Sequence, residues 1–139
     1  MEDENKACWQ YLNSGGIKFP ILSLLVISPI ETQSSQEIFV RIDTGYDGFL
    51  LLSEEKYRRM GFYLSELPRE YWPEGETVTG EVFRLRRAWT IVEIPKLNIR
   101  IEGHVDTFRG NTDDLAGLKL IENLKLLLDG PAQTACIIF

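Results

Sequence analysis

Apolar residues along the chain fall into short runs that polar or proline-containing segments interrupt. One run covers Ile21 to Ile27 and another covers Ile38 to Ile42, with the polar stretch Glu31 to Glu37 between them. Runs of this length, rich in Leu, Ile and Val and separated by turn-forming residues, are typical of paired β-strands. The pattern therefore predicts a β-hairpin whose second strand ends at Asp43.

The rest of the chain repeats this strand-like pattern around two short helical segments. Ser53 is a suitable cap for a helix that begins with Glu54 and Glu55 and stops at Gly61, and a second helix is predicted near Leu118 to Asn123. Further strands are predicted at Phe49 to Leu52, Thr77 to Phe83, Leu85 to Ile94, Leu97 to Ile101, Leu124 to Leu128 and Thr134 to Phe139. Many short strands with one or two short helices indicate an all-β fold, closed or sandwiched.

Size and charge narrow the range of functions. A chain of 139 residues, 44% hydrophobic and 26% charged, can form one domain with its own core. We expect a single domain over residues 1–139, with residues 1–19 as an optional N-terminal extension. The formal net charge of −6 argues against nucleic-acid binding. The nearest basic group is Arg84, Arg86 and Arg87. Arg84 and Arg86 alternate with Leu85, which fits the solvent-facing side of a strand.

Targeting signals and cysteine usage indicate a cytoplasmic protein. Met1 to Asn5 is acidic where a secretory signal would be basic. The most apolar run, Pro20 to Ile30, is shorter than the roughly 20 residues of a membrane-spanning helix, so no membrane partner is expected. Cys8 and Cys136 show no paired spacing, and we expect both to be free thiols.

The stretch with candidate catalytic residues is Asp-Thr-Gly-Tyr-Asp-Gly at residues 43–48. A strand leads into it, glycines allow a tight loop, and the apolar strand that begins at Phe49 follows. An Asp-Thr-Gly triplet alone would also suit an ordinary turn. With a strand on either side, however, the loop can hold the Asp43 carboxylate in a fixed direction.

With these flanks, the stretch resembles the active-site loop of retropepsin-like aspartic proteases, and the hexapeptide is closest to small prokaryotic members. Leu115-Ala116-Gly117 and the predicted helix after it are similar to the downstream part of that pattern. Thr77 to Phe83 occupies the place of the hairpin, called the flap, that covers substrate in these enzymes. Two features depart from the retroviral pattern: Leu118 stands where Arg is usual, and the chain continues through another strand after Asp129.

The resemblance implies a closed β-barrel of the retropepsin type and an aspartic endopeptidase without cofactor or metal. Asp43 would be the catalytic residue, Thr44 would bond to the second loop of a dimer, and Gly45 would admit the substrate backbone. The implied substrate-binding residues are Asp47, Gly48, Val78, Thr79 and Gly80. For Asp47 and Gly48 a plain turn is an equally good interpretation.

The chemistry implied by the resemblance requires two aspartates, which share a proton when they lie about 3 Å apart. The chain contains one such triplet, since Asp106-Thr107 is followed by Phe108. A homodimer acting on peptide or protein substrates is therefore expected. The alternative is a catalytically silent, protease-like module that dimerises or binds peptides, because a fold alone does not establish an activity.

Two further expectations concern residues outside the loop. His104 is the only histidine, and a surface position at a strand end is favoured over a role as base for Cys8 or Cys136 in a thiol hydrolase. The C-terminal strand Cys136 to Phe139 is predicted to form part of the dimer interface, because its exposed edge would otherwise invite aggregation.

Overall fold

The computed structural model describes residues 5–30, 35–76 and 79–138. Within these ranges the chain is mostly β-structure, with two short α-helices and three short 3-10 helical turns. The strands are β1 (Lys6–Gln10), β2 (Leu12–Ser14), β3 (Ile17–Phe19), β4 (Ile21–Ile27), β5 (Ser35–Ile42), β6 (Leu50–Leu51), β7 (Glu74–Glu76), β8 (Val82–Arg84), β9 (Arg86–Ile94), β10 (Ile99–Thr107), β11 (Leu115–Ala116), β12 (Lys125–Asp129) and β13 (Thr134–Ile138). The helices are α1 (Glu54–Arg59) and α2 (Leu118–Ile121), and the 3-10 turns cover Phe62–Ser65, Arg69–Tyr71 and Pro95–Leu97.

Six strands close into a barrel in the order β10-β6-β11-β5-β4-β9. Closure pairs every barrel strand on both sides, and side chains that point inward fill the interior. The predicted all-β, closed-barrel fold class is confirmed.

The hairpin predicted from the first two apolar runs is present as β4 and β5. The two strands pair antiparallel from Ile21 opposite Arg41 to Ile27 opposite Ser35. Leu22, Leu24 and Val26 alternate along β4 and are fully buried, so the period of two places one face of the hairpin in the core. This packing delivers Asp43 to one end of the barrel.

Helix α1 also forms where the sequence predicts it. The Ser53 side chain accepts a hydrogen bond from the Lys56 backbone N–H at 3.2 Å, and Glu54 and Glu55 lie in the first turn. Gly61 follows the helix with a φ of 78°, a left-handed conformation that glycine adopts without strain.

A three-stranded sheet outside the barrel joins the two ends of the described chain. Its order is β1-β13-β12, with both neighbours antiparallel to β13. The predicted exposed edge at Cys136 to Phe139 is therefore wrong, because β13 is the central strand and both its edges are paired. Phe139 itself lies outside the described residues.

The two cysteines are disulfide-bonded, which corrects the expectation of free thiols. Cys8 on β1 lies directly opposite Cys136 on β13, and the bond links residues 128 positions apart. Sequence spacing gave no sign of this pair because only the antiparallel register of the sheet brings the two residues together. The prediction of a cytoplasmic location loses the support it drew from free thiols. No helix in the described ranges is long and apolar enough to cross a membrane.

Removing the disulfide should destabilise the protein strongly. A bond that closes a loop of more than 100 residues restricts the unfolded chain, and its loss is expected to lower the free energy of unfolding by about 4 kcal/mol. The measurement is urea unfolding of wild type and of the Cys8→Ala, Cys136→Ala double variant, each with and without a reductant. Reductant should shift the wild-type midpoint alone, and equal midpoints for all four samples would contradict the prediction.

Candidate active site

Asp43 lies at the end of β5, where backbone hydrogen bonds hold the chain on both sides. The Asp43 N–H donates to the Ala116 carbonyl at 3.0 Å, and the Arg41 N–H donates to the Asp114 carbonyl at 2.9 Å. The Gly45 N–H then donates to Asp43 Oδ1 at 2.9 Å. The half-buried carboxylate is thus oriented by the backbone of its own loop.

The loop after Asp43 and the start of α2 are in close backbone contact. The Leu118 N–H donates to the Tyr46 carbonyl at 2.8 Å, and the Lys119 N–H donates to the Gly48 carbonyl at 3.1 Å. A Cβ atom on Gly117 would overlap the Gly48 carbonyl oxygen, so only glycine fits at that position. The segment Leu115-Ala116-Gly117, which is similar to the downstream part of the retropepsin pattern, therefore lies in direct contact with the loop after Asp43.

A buried ionic cluster supports the other side of the loop. The Tyr46 hydroxyl donates to Asp106 Oδ2 at 2.5 Å, and Arg87 donates to both oxygens of Asp106, at 2.7 Å and 3.0 Å. The Asp106 side chain is 1% exposed, so this carboxylate is shielded from water. We call Tyr46, Arg87 and Asp106 the loop brace.

Electrostatics within the loop brace favour one protonation state. Burial, and then the Asp106 charge, raise the pKa of the Tyr46 phenol well above its ordinary value, which keeps the hydroxyl a donor. The hydrogen bond to Asp106 raises the pKa of Arg87 against the opposing effect of burial. The Arg87 guanidinium is thus paired with a buried carboxylate. Of the two arginines predicted to face solvent, Arg84 is exposed and Arg86 is half-buried. Arg86 is likewise paired, with Glu66 at 2.7 Å.

The loop brace supports the loop that carries Asp43, although Leu118 stands where the retroviral pattern has Arg. Leu118 is exposed and gives no side-chain support to the loop. Support comes instead from Arg87 on β9 and Asp106 on β10, which lie opposite each other in the β9–β10 register. Sequence analysis missed these three residues, because their meeting depends on strand register and not on a local motif.

A cleft of about 670 Å³ opens above Asp43. The loop that carries Asp43 forms one wall, with Asp43, Gly45, Tyr46, Asp47 and Gly48. The opposite wall is the hairpin of β7 and β8, which contributes Glu74, Gly75, Glu76 and Phe83. The rings of Phe83 and Phe108 meet with their centroids 4.7 Å apart, which seats the hairpin against the segment after β10.

The predicted site residues occupy different parts of this arrangement. Of these, Asp43, Gly45, Asp47 and Gly48 line the cleft, whereas Thr44 is exposed beside it. The flap prediction at Thr77 to Phe83 is displaced by a few residues, since the paired strands are β7 and β8. Thr79 and Gly80 belong to the connection between them and are exposed, and Val78 lies outside the described residues.

His104 differs from its predicted position. It lies in the middle of β10 and is half-buried. The centroid of its ring is 4.3 Å from the ring centroid of Trp89 on the neighbouring strand. Burial, followed by the nearby Arg87 charge, lowers the pKa of its imidazole, so the ring is favoured in its neutral form. Because Cys8 and Cys136 are joined to each other, neither is a free nucleophile for a histidine base.

Comparison with known proteins gives stronger support for the fold than for a relationship by sequence. The chain matches no family model. An uncharacterised protein of Archaeoglobus fulgidus is 25% identical over 114 residues, which cover 79% of this chain and 86% of the relative. A retropepsin-like aspartic protease from Rickettsia conorii superimposes with a TM-score of 0.54 at 18% identity, covering 95% of this chain and 89% of that one.

EIAV protease, solved with an inhibitor, gives a TM-score of 0.52 at 15% identity and covers 81% of this chain and 93% of that one. The chain has the retropepsin-like fold. The cleft above Asp43 therefore lies in a barrel of this fold, between the Asp-Thr-Gly loop and the hairpin of β7 and β8.

Proposed function

We propose that the protein is an aspartic endopeptidase that works as a homodimer, each chain contributing Asp43 to one shared active site. The observation that carries the proposal is the position of Asp43, oriented by the Gly45 N–H at the floor of a cleft that a hairpin covers. The retropepsin-like fold supports it, since the structural neighbours are aspartic proteases.

The single triplet supports the dimer. A water-activating pair needs one ionised and one protonated carboxylate, and this chain supplies one Asp-Thr-Gly aspartate. Thr44 is exposed next to Asp43, which leaves its hydroxyl available to the equivalent loop of a second chain. A two-fold axis beside the loop would bring two copies of Asp43 together.

In the proposed reaction, the ionised carboxylate takes a proton from water as the water oxygen attacks the scissile carbonyl carbon. The protonated carboxylate donates its proton to the carbonyl oxygen. The carboxyl group that took the water proton then gives it to the leaving amine nitrogen as the C–N bond breaks, and the other carboxylate regains its proton as the C=O bond re-forms. Asp47 and Gly48 line the cleft where an extended peptide would lie, and the hairpin of β7 and β8 would exclude water from it. Thr79 and Gly80 are exposed in the connection of this hairpin, where they would contact the substrate.

Stoichiometry of inhibitor binding tests the shared site. A peptide mimic that bears a hydroxyl at the scissile position should bind as one molecule per two chains, because both Asp43 carboxylates contact the same hydroxyl. Its affinity should be higher in acid than at alkaline pH, where both carboxylates are charged. Isothermal calorimetry from acid to alkaline pH measures both quantities.

Peptide cleavage measured over the same pH range should follow a bell on the acid side of neutrality. Binding of one mimic per chain with no pH dependence, together with no cleavage, would favour the alternative of a silent peptide-binding module.

A further inference from the structure

The sheet β1-β13-β12 has an edge that no described strand covers. Strand β12 pairs with β13 on one side, and within the described part of the chain nothing pairs with its other side. Leu127 is 50% exposed and Leu128 is 47% exposed. An apolar edge strand of this kind is a template for pairing with another strand.

The side chains of β12 divide between the two faces of the sheet. Leu126 packs against the core, and Leu128 lies on the same face, since residues two apart in a strand point the same way. Lys125, Leu127 and Asp129 lie on the other face. No ion pair within the described residues involves Lys125 or Asp129.

The order of these residues is self-complementary. The strand reads Lys-Leu-Leu-Leu-Asp, with Leu127 at its centre. If two copies pair antiparallel about Leu127, Lys125 of each chain lies opposite Asp129 of the partner subunit, and this happens twice. On the core face, Leu128 meets the partner's Leu126, which covers the apolar surface that one chain leaves exposed.

We propose that β12 is the seam of the homodimer, pairing with β12 of a second copy about a two-fold axis at Leu127. The inference rests on the proposed function, because it names where the partner that completes the site attaches. Two three-stranded sheets then join into one six-stranded sheet.

The seam is connected to the active site through α2. That helix ends at Ile121, a few residues before β12, and its first backbone N–H groups bind the loop that carries Asp43. A fixed register at β12 therefore fixes the positions of the two α2 helices, and with them the two active-site loops. This gives a reason for the charge pair at the ends of the strand, since it selects one register among several that three leucines would allow.

Reciprocal charge reversal tests the register. In Lys125→Glu homodimers, a carboxylate lies opposite Asp129 of the partner subunit at both ends of the seam, and in Asp129→Lys homodimers two ammonium groups meet instead. Each variant should dimerise about tenfold more weakly than wild type or worse, because like charges directly opposite are destabilising. An equimolar mixture should recover the dimer, because both ion pairs form again in the heterodimer.

Sedimentation equilibrium on the full chain, with peptide cleavage in parallel, provides the readout. Lys96→Glu is the matched control, because this exposed lysine adjoins β1 at the opposite edge of the sheet and the same charge change there should leave the dimer intact. Asp129 also accepts from the Ala132 N–H at 3.0 Å, so thermal unfolding of each variant checks that the turn survives. Leu127→Lys, which places two ammonium groups at the axis without touching that turn, is a second variant with the same expected loss.

The outcomes separate the seam from the function. Monomeric single variants whose mixture dimerises and cleaves support the seam. A wild-type dimer that cleaves peptides, together with variants that dimerise equally well, overturns the seam and leaves the proposed function standing. A wild type that dimerises through this register without cleaving supports the seam and overturns the peptidase, and one that does neither overturns both.

Discussion

Replacing Asp43 with Asn should abolish peptide cleavage while the fold and the dimer persist. Asn has nearly the same shape and can still accept from the Gly45 N–H, but it cannot ionise. General acid–base catalysis contributes about 100-fold to 10,000-fold to a rate. In the variant homodimer both carboxylates of the pair are replaced, because each chain supplies one. We expect a loss of cleavage at least that large.

The measurement is kcat/KM on a peptide substrate, with sedimentation and thermal unfolding to confirm the assembly and the fold. Asp113→Asn is the matched control, since this exposed aspartate lies outside the cleft and undergoes the same chemical change. The control should retain wild-type activity. Cleavage by Asp43→Asn at the wild-type rate would assign the chemistry to other residues.

Replacing Asp106 with Asn should destabilise the protein by about 3–5 kcal/mol, because it breaks a buried ion pair and leaves the Arg87 guanidinium without a counter-charge. The Tyr46 hydroxyl also loses its ionised acceptor, so the loop that carries Asp43 loses the brace on that side. Cleavage should fall even where the variant is fully folded. Urea unfolding and kcat/KM at temperatures well below the unfolding midpoint measure the two effects.

The same pair of strands offers a control for this change. Glu93 and Arg100 form an exposed ion pair across β9 and β10, and Glu93→Gln should cost less than about 1 kcal/mol. Adding Arg87→Met to Asp106→Asn should recover much of the lost stability, because no uncompensated buried charge remains. Equal losses of unfolding free energy in Asp106→Asn and Glu93→Gln would show that burial of the brace does not add to the stability of the protein.

Local patterns in the sequence were enough to predict the elements that hold Asp43. The β4–β5 hairpin follows from two apolar runs around a polar connection, and α1 follows from Ser53 and the charges after it. These predictions succeeded because strand alternation and helix capping act between neighbours in the chain. The resemblance indicated the segment Leu115-Ala116-Gly117 but not the contact of Gly117 with the loop.

The brace and the disulfide could not be predicted in the same way. Nothing near Arg87 in the sequence indicates its partner, because charged residues are usually exposed and the pairing with Asp106 depends on the register of β9 with β10. Cys8 meets Cys136 because β13 inserts between β1 and β12, an order that no local pattern indicates. Sheet order and register are long-range properties, and both the brace and the disulfide depend on them.

The bond between Cys8 and Cys136 also turns almost the whole chain into a covalent ring. The proposed peptidase would meet its own copies as substrate at high concentration, and exposed loops are where such a cut would fall. One cut anywhere between the two cysteines would leave both fragments attached, still held by β1 and β13. A nicked molecule would therefore run as a single chain in a denaturing gel until the sample is reduced.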